Sequence, residues 1–166
     1  WDFDNNGTIG HNTLLVDGAG QQPASRDFGA EYSGKLVSFS SGPEVDIAVG
    51  DATAAYAGKL DRYVRTLAYV KPDLLLIYDR VASSEPRYLE FLFHHDGEVS
   101  GDENITTITR GNVTLTLMRV LPTEVDCWRT SDVSRTSVYT NSDTLEPVRP
   151  GIRYRSYGPF HPCQEL

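Results

Sequence analysis

The chain has 166 residues, of which 39% are hydrophobic, and it carries a formal net charge of −8. This length suffices for one domain with a sizeable core, and the composition is typical of a globular protein rather than a disordered one. The acidic balance argues against nucleic-acid binding and against anionic membranes, and it makes the chain alone a poor cradle for a polyanion. The longest apolar run, LLLIY at 74–78, is too short to cross a bilayer.

Period-two alternation dominates the first third of the chain and predicts short strands. The stretch NTLLVDG at 12–18 is predicted to be a first strand that ends in an Asp-Gly turn. KLVSFSSG at 35–42 and EVDIAVGD at 44–51 alternate in the same way on either side of a Gly-Pro break. The one helix candidate is DATAAYAGKL at 51–60, whose alanines favour a helix and whose Asp51 is placed to cap it.

A β-hairpin is predicted at 62–81, where two strand-like runs flank Lys71-Pro72-Asp73. Proline presets φ for the first central position of a turn, and aspartate tolerates the second. The second arm of this hairpin is almost continuously apolar. We therefore expect that arm to be buried on both faces of its sheet.

Strand patterns continue toward the C-terminus. Two of them, at 105–111 and 113–121, form a predicted hairpin that turns at Gly111-Asn112. These runs are RYLEFLFHH at 87–95, ITTITRG at 105–111, VTLTLMRVL at 113–121, RTSVYT at 135–140 and a final edge strand, GIRYRSYG at 151–158. The sequence therefore predicts an all-β fold, an antiparallel β-sandwich of layered sheets with about ten strands and at most one short helix. We expect residues 1–166 to form a single domain.

Four histidines are the main candidates for chemistry, because the chain lacks a nucleophile elbow, a phosphate-binding glycine loop and the common zinc motifs. His11 precedes the first strand and is either a metal ligand or a histidine that orders the strand. It can share a strand face with Asp17 at a separation of about 20 Å, which is too far for one metal ion. His94 and His95 end a strand, so we expect their rings on opposite faces, with a buried one in a structural role. His161 is assigned no role.

Other groups also leave two interpretations open. Tyr56 is either an acid–base group or a packing residue. Arg62 and Arg65 either meet a carboxylate of a ligand or pair with acidic residues of the chain. Cys127 and Cys163 either form a disulfide or are two unrelated thiols, since two cysteines make no metal pattern.

Three stretches, in this order, resemble the heparinase II/III-like polysaccharide lyases: GHNTLLVDGAGQ at 10–21, VGDATAAYAGKLDRYVRTLAYVKPDLLLIYDRV at 49–81 and YLEFLFHHDGEV at 88–99. The resemblance implies the C-terminal β-sandwich portion of such an enzyme, packed against an N-terminal helical toroid. It implies a parent enzyme that cleaves uronic-acid-containing polysaccharides of the heparin, heparan sulfate or alginate type by β-elimination. In that reaction a base removes the proton α to the uronate carboxyl group, and the 4-O-linked sugar leaves.

The resemblance also assigns site residues. The catalytic tyrosine and histidines that it implies lie upstream, so no residue of this chain is assigned as catalytic. The histidine of HNTLLVDG matches the third ligand of a structural zinc site, which makes His11 a candidate zinc ligand whose two mates also lie upstream. The first residue is Trp1 rather than methionine, so the chain is interpreted as a processed or excised piece of a periplasmic or secreted lyase. By itself it is expected to be inactive and to hold zinc poorly.

Two functions of other classes remain open. The chain can be a non-catalytic carbohydrate-binding sandwich, in which tyrosines stack on sugar rings and the acidic charge favours neutral glycans. It can also be a structural or adhesion module without a ligand, in which His11 only orders a strand. Neither alternative involves nucleic acid or a membrane.

Overall fold

The computed structural model describes residue 8 and residues 11–22, 30–95, 97–102, 104–122, 126–130 and 151–157. Contacts divide the chain into two compact units: unit 1 comprises Trp1–Gly20 and Arg87–Leu166, and unit 2 comprises Gln21–Pro86. The predicted all-β fold is confirmed, because strands in mainly antiparallel sheets dominate the described residues. None of the helices within these ranges is long and apolar enough to cross a membrane. The expectation of one domain over 1–166 stays a prediction.

The described residues form eleven strands. In chain order they are β1 (Leu14–Val16), β2 (Lys35–Ser41), β3 (Val45–Asp51), β4 (Arg62–Val70), β5 (Leu74–Ala82), β6 (Tyr88–His94), β7 (Glu98–Gly101), β8 (Ile105–Arg110), β9 (Val113–Met118), β10 (Asp126–Thr130) and β11 (Gly151–Tyr157).

Unit 2 contains a four-stranded antiparallel sheet in the order β2-β3-β4-β5. Its strands match the predicted ones, and the hairpin β4–β5 is confirmed, with a three-residue turn at Lys71-Pro72-Asp73. The Lys71–Pro72 peptide bond is cis. β3 and β4 pair without a break, whereas β2 and β3 change register between Leu36 and Ser38. Alternation located β2 and β3, and the apolar runs on either side of the Lys71-Pro72-Asp73 turn located β4 and β5.

The expected burial of the second hairpin arm is wrong. The side chains of 74–78 in β5 are 42–58% exposed. β5 lies at the edge of its sheet, with β4 on one side and no other strand of the described chain on the other. An apolar run is buried only where another element covers the faces of its sheet, and the described residues leave both faces of the sheet partly open at 74–78.

The predicted helix at 51–60 is also wrong, apart from one short turn. Asp51 is the last residue of β3, and only Ala54–Tyr56 form a 3-10 helix. Asp51 does not cap a helix, because its Oδ1 instead accepts a 2.9 Å hydrogen bond from the Thr53 N–H within a local turn. Alanine-rich composition favoured a helix, but the helical turn ends at Tyr56 and Gly58 reverses the chain at φ +77°.

Unit 1 contains the other two sheets. The first has the order β1-β6-β11-β10, in which β11 pairs in parallel with both β6 and β10. β11 is therefore an internal strand, and the prediction of a final edge strand at 151–158 is wrong. The predicted strand at 135–140 lies outside the described residues.

The second sheet of unit 1 has the order β7-β8-β9 and contains the predicted hairpin at Gly111-Asn112. Gly111 has φ +60° at the first position of this two-residue turn, a conformation that glycine adopts without a Cβ penalty.

Among the described side chains of unit 1, most of the buried ones lie on β1 and β6. Every residue of β1 is buried, and β6 contributes a second buried cluster: Tyr88, Glu90, Phe91 and Leu92. The two strands pair antiparallel from Leu14↔Phe91 to Val16↔Leu89. Because β1 precedes unit 2 in the chain and β6 follows it, this pairing holds together the two points where the chain leaves and re-enters unit 1.

Candidate functional site

The segment before β1 lies beside the end of β6. Asn12 Oδ1 accepts a 2.6 Å hydrogen bond from the His94 N–H, and the Thr13 carbonyl accepts one of 2.8 Å from the Leu92 N–H. The β1–β6 ladder thus extends toward the N-terminus and brings the chain at His11 alongside the end of β6. His11 itself is exposed. The candidate metal ligand is therefore accessible to a ligand or to another part of a larger protein.

The residues around His11 do not complete a metal site by themselves. Within the described ranges, no group of three or more His, Cys, Asp or Glu residues is placed to hold a metal ion. His94 and His95 are both half-buried, so the expected contrast of one buried and one exposed ring does not occur. Zinc usually needs three or four protein ligands, and the described part of the chain supplies at most an incomplete set. His161 and Cys163 lie outside the described residues.

Asp17 does not share a strand face with His11, because β1 ends at Val16 and Asp17 turns the chain with φ +53°. Its Oδ1 accepts a 2.9 Å hydrogen bond from the Tyr88 N–H, and its Oδ2 pairs with Arg87 Nη1 at 2.9 Å. Its own N–H donates to the Tyr88 carbonyl at 2.8 Å. Asp17 is therefore a structural clasp between the end of β1 and the start of β6.

Replacing Asp17 with alanine is expected to lower the free energy of unfolding by about 1–3 kcal/mol, because the Tyr88 N–H loses its acceptor and alanine is poorly suited to a positive φ. Urea denaturation measures this difference. Asp17→Asn keeps an acceptor and tolerates the backbone conformation, so it should cost less. Equal losses for the two variants would contradict the clasp.

Among the described residues of unit 2, two tyrosines, an arginine and an aspartate form a buried polar group. Tyr56 is 0% exposed, and its ring meets that of Tyr63 edge-on at a centroid distance of 5.3 Å and an angle of 74°. The Arg65 guanidinium lies over the Tyr63 ring, 5.8 Å from its centroid. Burial of Tyr56 favours the packing interpretation of this residue, because no solvent-borne substrate reaches its hydroxyl in this conformation.

Arg65 forms a bidentate ion pair with Asp79 on the neighbouring strand. Arg65 Nε and Nη2 donate to the two carboxylate oxygens of Asp79, each at 2.7 Å, and the side chains are 24% and 10% exposed. Burial by itself disfavours the charged guanidinium, but the hydrogen bonds with Asp79 and nearby negative charge outweigh this and raise the pKa of Arg65 above its usual value. Arg65 therefore pairs within the chain rather than presenting its fork to a ligand.

A second charged cluster joins the β2–β3 turn to the β4–β5 turn. Asp46 Oδ1 accepts a 2.6 Å hydrogen bond from the Ser41 hydroxyl and lies 3.0 Å from Lys71 Nζ. Lys71 also donates to the Gly42 carbonyl at 2.7 Å. The Ser41 hydrogen bond and the Lys71 ammonium favour the ionised carboxylate and lower the pKa of Asp46. The cluster fixes one end of the sheet of unit 2.

This arrangement predicts a pH dependence. Because the pKa of Asp46 is lowered on folding, its contribution to stability is present above the unfolded value of 3.8 and is lost as the pH falls through the lower folded value. Asp46→Asn is expected to lower the urea midpoint at neutral pH, and its difference from the wild type should shrink below pH 3.8. Asp73→Asn, at an exposed position of the neighbouring turn, serves as the control. A difference independent of pH would contradict the prediction.

Two acidic residues with defined places in the fold were not singled out from the sequence. Asp79 is the partner of Arg65, and Glu90 is 1% exposed in the middle of β6. Both interrupt apolar runs, LLLIYDRV and YLEFLFHH. A charge inside an apolar strand pattern is the signal that could have identified them, because buried charges persist only with partners.

The comparison with known protein families agrees with this architecture. A family model described as "Heparinase II/III-like, C-terminal" matches residues 5–149. No curated protein matches the chain.

Proposed function

Since the chain belongs to the heparinase II/III-like C-terminal family, we propose that it is the β domain of a polysaccharide lyase. The parent enzyme would cleave uronic-acid-containing chains of the heparin, heparan sulfate or alginate type by β-elimination. The observation that carries this proposal is the family match over residues 5–149, most of the chain. The parent enzyme would be periplasmic or secreted, with this domain packed against a helical toroid.

The side chains of the described residues suggest a supporting rather than a catalytic role. Abstraction of the proton α to a uronate carboxyl group needs a base within hydrogen-bond reach of the sugar. Tyr56 is enclosed and Arg65 is engaged by Asp79. The formal charge of −8 also opposes a polyuronate, so the basic groups that bind it would come from the rest of the enzyme. We therefore propose that the isolated chain is inactive.

An activity assay of the full-length parent tests this proposal. Incubation with heparan sulfate, heparin and alginate is followed by the ultraviolet absorbance of the unsaturated product. Absorbance that grows with time on one of these polymers, and its absence for the isolated chain, are expected. No product from any polyuronate would contradict the lyase assignment.

We further propose that His11 is one ligand of a structural zinc ion whose other protein ligands lie upstream in the parent enzyme. His11 is exposed and lies beside the end of β6, which supports this role. Zinc at this position would link His11 to the segments that carry the other ligands, and it would take no part in proton transfer.

His11→Ala in the full-length parent is expected to reduce the zinc content measured by atomic emission and to lower the thermal midpoint, since a structural zinc contributes folding energy. His95→Ala is the matched control and should retain zinc. Unchanged zinc in the His11 variant would contradict the assignment, whatever the activity.

A second candidate function is carbohydrate binding without catalysis. Phe39 is 63% exposed on β2, and Tyr69 of β4 is also exposed on the same face of the sheet according to the register. Exposed rings of this kind can stack on sugar faces. A glycan array probed with the chain and with Phe39→Ala tests this. Signals on neutral glycans that depend on Phe39 would support binding, and a blank array would contradict it.

A further inference from the structure

The outer edge of β5 is long, regular and apolar. All nine residues of β5 pair with β4, from Leu74↔Val70 to Ala82↔Arg62, without a register shift. Among the described strands, β5 has no neighbour on its other side. The five residues at 74–78 carry no charge and are 42–58% exposed. Such an edge presents backbone donors and acceptors together with apolar side chains, which is the arrangement that pairs with another strand.

Other strand edges of the described chain are less suited to pairing. β2, at the opposite edge of the same sheet, has a register shift between Leu36 and Ser38 and contains three serines. β1 has only three residues, and all of them are buried. β9 is shorter than β5 and includes two threonines. A bulge, a short length and polar residues protect edges against pairing, and β5 has none of these in its first five residues.

A strand that fits this edge must be apolar on both faces, and β5 itself meets that requirement. Leu75, Ile77 and Val81 point to one face of the sheet, whereas Leu74, Leu76 and Tyr78 point to the other, because side chains alternate along a strand. β4, the other nine-residue strand, already pairs on both sides. Within the described part of the chain, β5 is thus the one available strand of matching length and apolar character.

We propose that β5 is a homodimer interface at which β5 of a second copy adds antiparallel across a twofold axis at Tyr78. In this register Tyr78 faces Tyr78 of the second copy, and Leu76 faces Arg80 of the second copy. All nine residues pair, and no two like charges lie opposite each other. Arg80 also lies diagonal to an aromatic ring of the second copy, where a cation–π contact is possible.

Charge at this edge permits the pairing in spite of the acidity of the whole chain. Asp79 is the one acidic residue of β5, and Arg65 of the same chain neutralises it through the bidentate pair. Arg80 is the one basic residue of the strand and is exposed. Two β5 strands therefore meet at this edge without an uncompensated negative charge of their own.

Sedimentation analysis of the full chain over a concentration series tests the proposal. The wild type is expected to form a dimer that dissociates on dilution. Leu76→Lys and Tyr78→Lys place charges on the seam and should weaken the dimer by at least about tenfold in Kd. Val37→Lys, at a 57% exposed position of the bulged β2 edge, is the matched control and should leave it unchanged. Far-ultraviolet circular dichroism confirms that each variant is folded.

A cysteine variant tests the register. Residues directly opposite each other in an antiparallel pair have Cα atoms about 4.5–5.5 Å apart, within the range that a disulfide spans. Tyr78→Cys is therefore expected to give disulfide-linked dimers on oxidation, beyond any formed by the wild type, and Val37→Cys is not. A monomer at all concentrations, open-ended assembly, a dimer insensitive to both lysine variants or equal crosslinking at both positions would overturn the proposal. These readouts do not involve lyase activity, so they stand apart from the proposed function.

Discussion

Replacing Tyr56 with alanine is expected to lower the free energy of unfolding by about 3–5 kcal/mol, the range for removing an enclosed aromatic side chain. The Tyr56 ring is fully buried against Tyr63, and Ala55 and Leu60 are buried beside it in the chain. The alanines of the short 3-10 helix have no long side chains that could move into the cavity left by the ring. Urea denaturation followed by far-ultraviolet circular dichroism measures the loss.

The control for this prediction also separates the two interpretations of Tyr56. Tyr56→Phe keeps the ring and removes the hydroxyl, so it should cost much less stability than Tyr56→Ala. If Tyr56 packs rather than transfers protons, the phenylalanine variant of the parent enzyme should retain its turnover. Lost turnover in a stably folded Tyr56→Phe enzyme would show that the hydroxyl does chemistry.

Replacing Asp79 with alanine is expected to lower the free energy of unfolding by about 2–4 kcal/mol, because it leaves the Arg65 guanidinium half-enclosed without its counter-charge. Arg65 keeps 24% of its side chain exposed, so water can replace part of the lost interaction. Chemical denaturation at neutral pH measures the effect. Glu85→Ala, at an exposed position shortly after β5, is the control and should change stability little.

A double variant identifies the origin of that loss. Arg65→Met combined with Asp79→Leu removes both charges and leaves apolar side chains of similar size. If the cost of the single variant comes from an unpaired charge, the double variant should recover part of it. A double variant as unstable as the sum of the two single ones would contradict this explanation.

The strands of unit 2 could be predicted from the sequence because alternation, apolar runs and turn residues are local properties. Pairing between distant segments is not local, which explains why β11 was expected at an edge and instead lies between β6 and β10. The strands β7 and β10 were not predicted at all. β7 is only four residues long and contains one large apolar residue, so its alternation is too brief to register.

Burial of β5 was predicted wrongly for a related reason. The hydrophobicity of a strand indicates that burying it would be favourable, but the sequence does not show which element covers it. The candidate site shows the same contrast between features that are local in sequence and features that depend on distant residues. The position of His11 before the first strand was predictable, whereas the role of Asp17 depends on Arg87 and Tyr88, which lie far along the chain. The Asp79 pairing likewise needed the β4–β5 register, although Arg65 had been recognised as a candidate for an internal ion pair.

The direct pairing of β1 with β6 has a consequence for the order of folding. The Asp17 clasp joins residues 71 positions apart, and closing so long a flexible loop is entropically costly. The sheet of unit 2 lies entirely within that loop and is built from neighbouring strands, which form faster than long-range pairs. Once this sheet has folded, the segment between β1 and β6 is no longer a flexible coil, which lowers the entropic cost of pairing these two strands. Because synthesis runs from the N-terminus, β1 leaves the ribosome well before β6 and stays unpaired until that strand emerges.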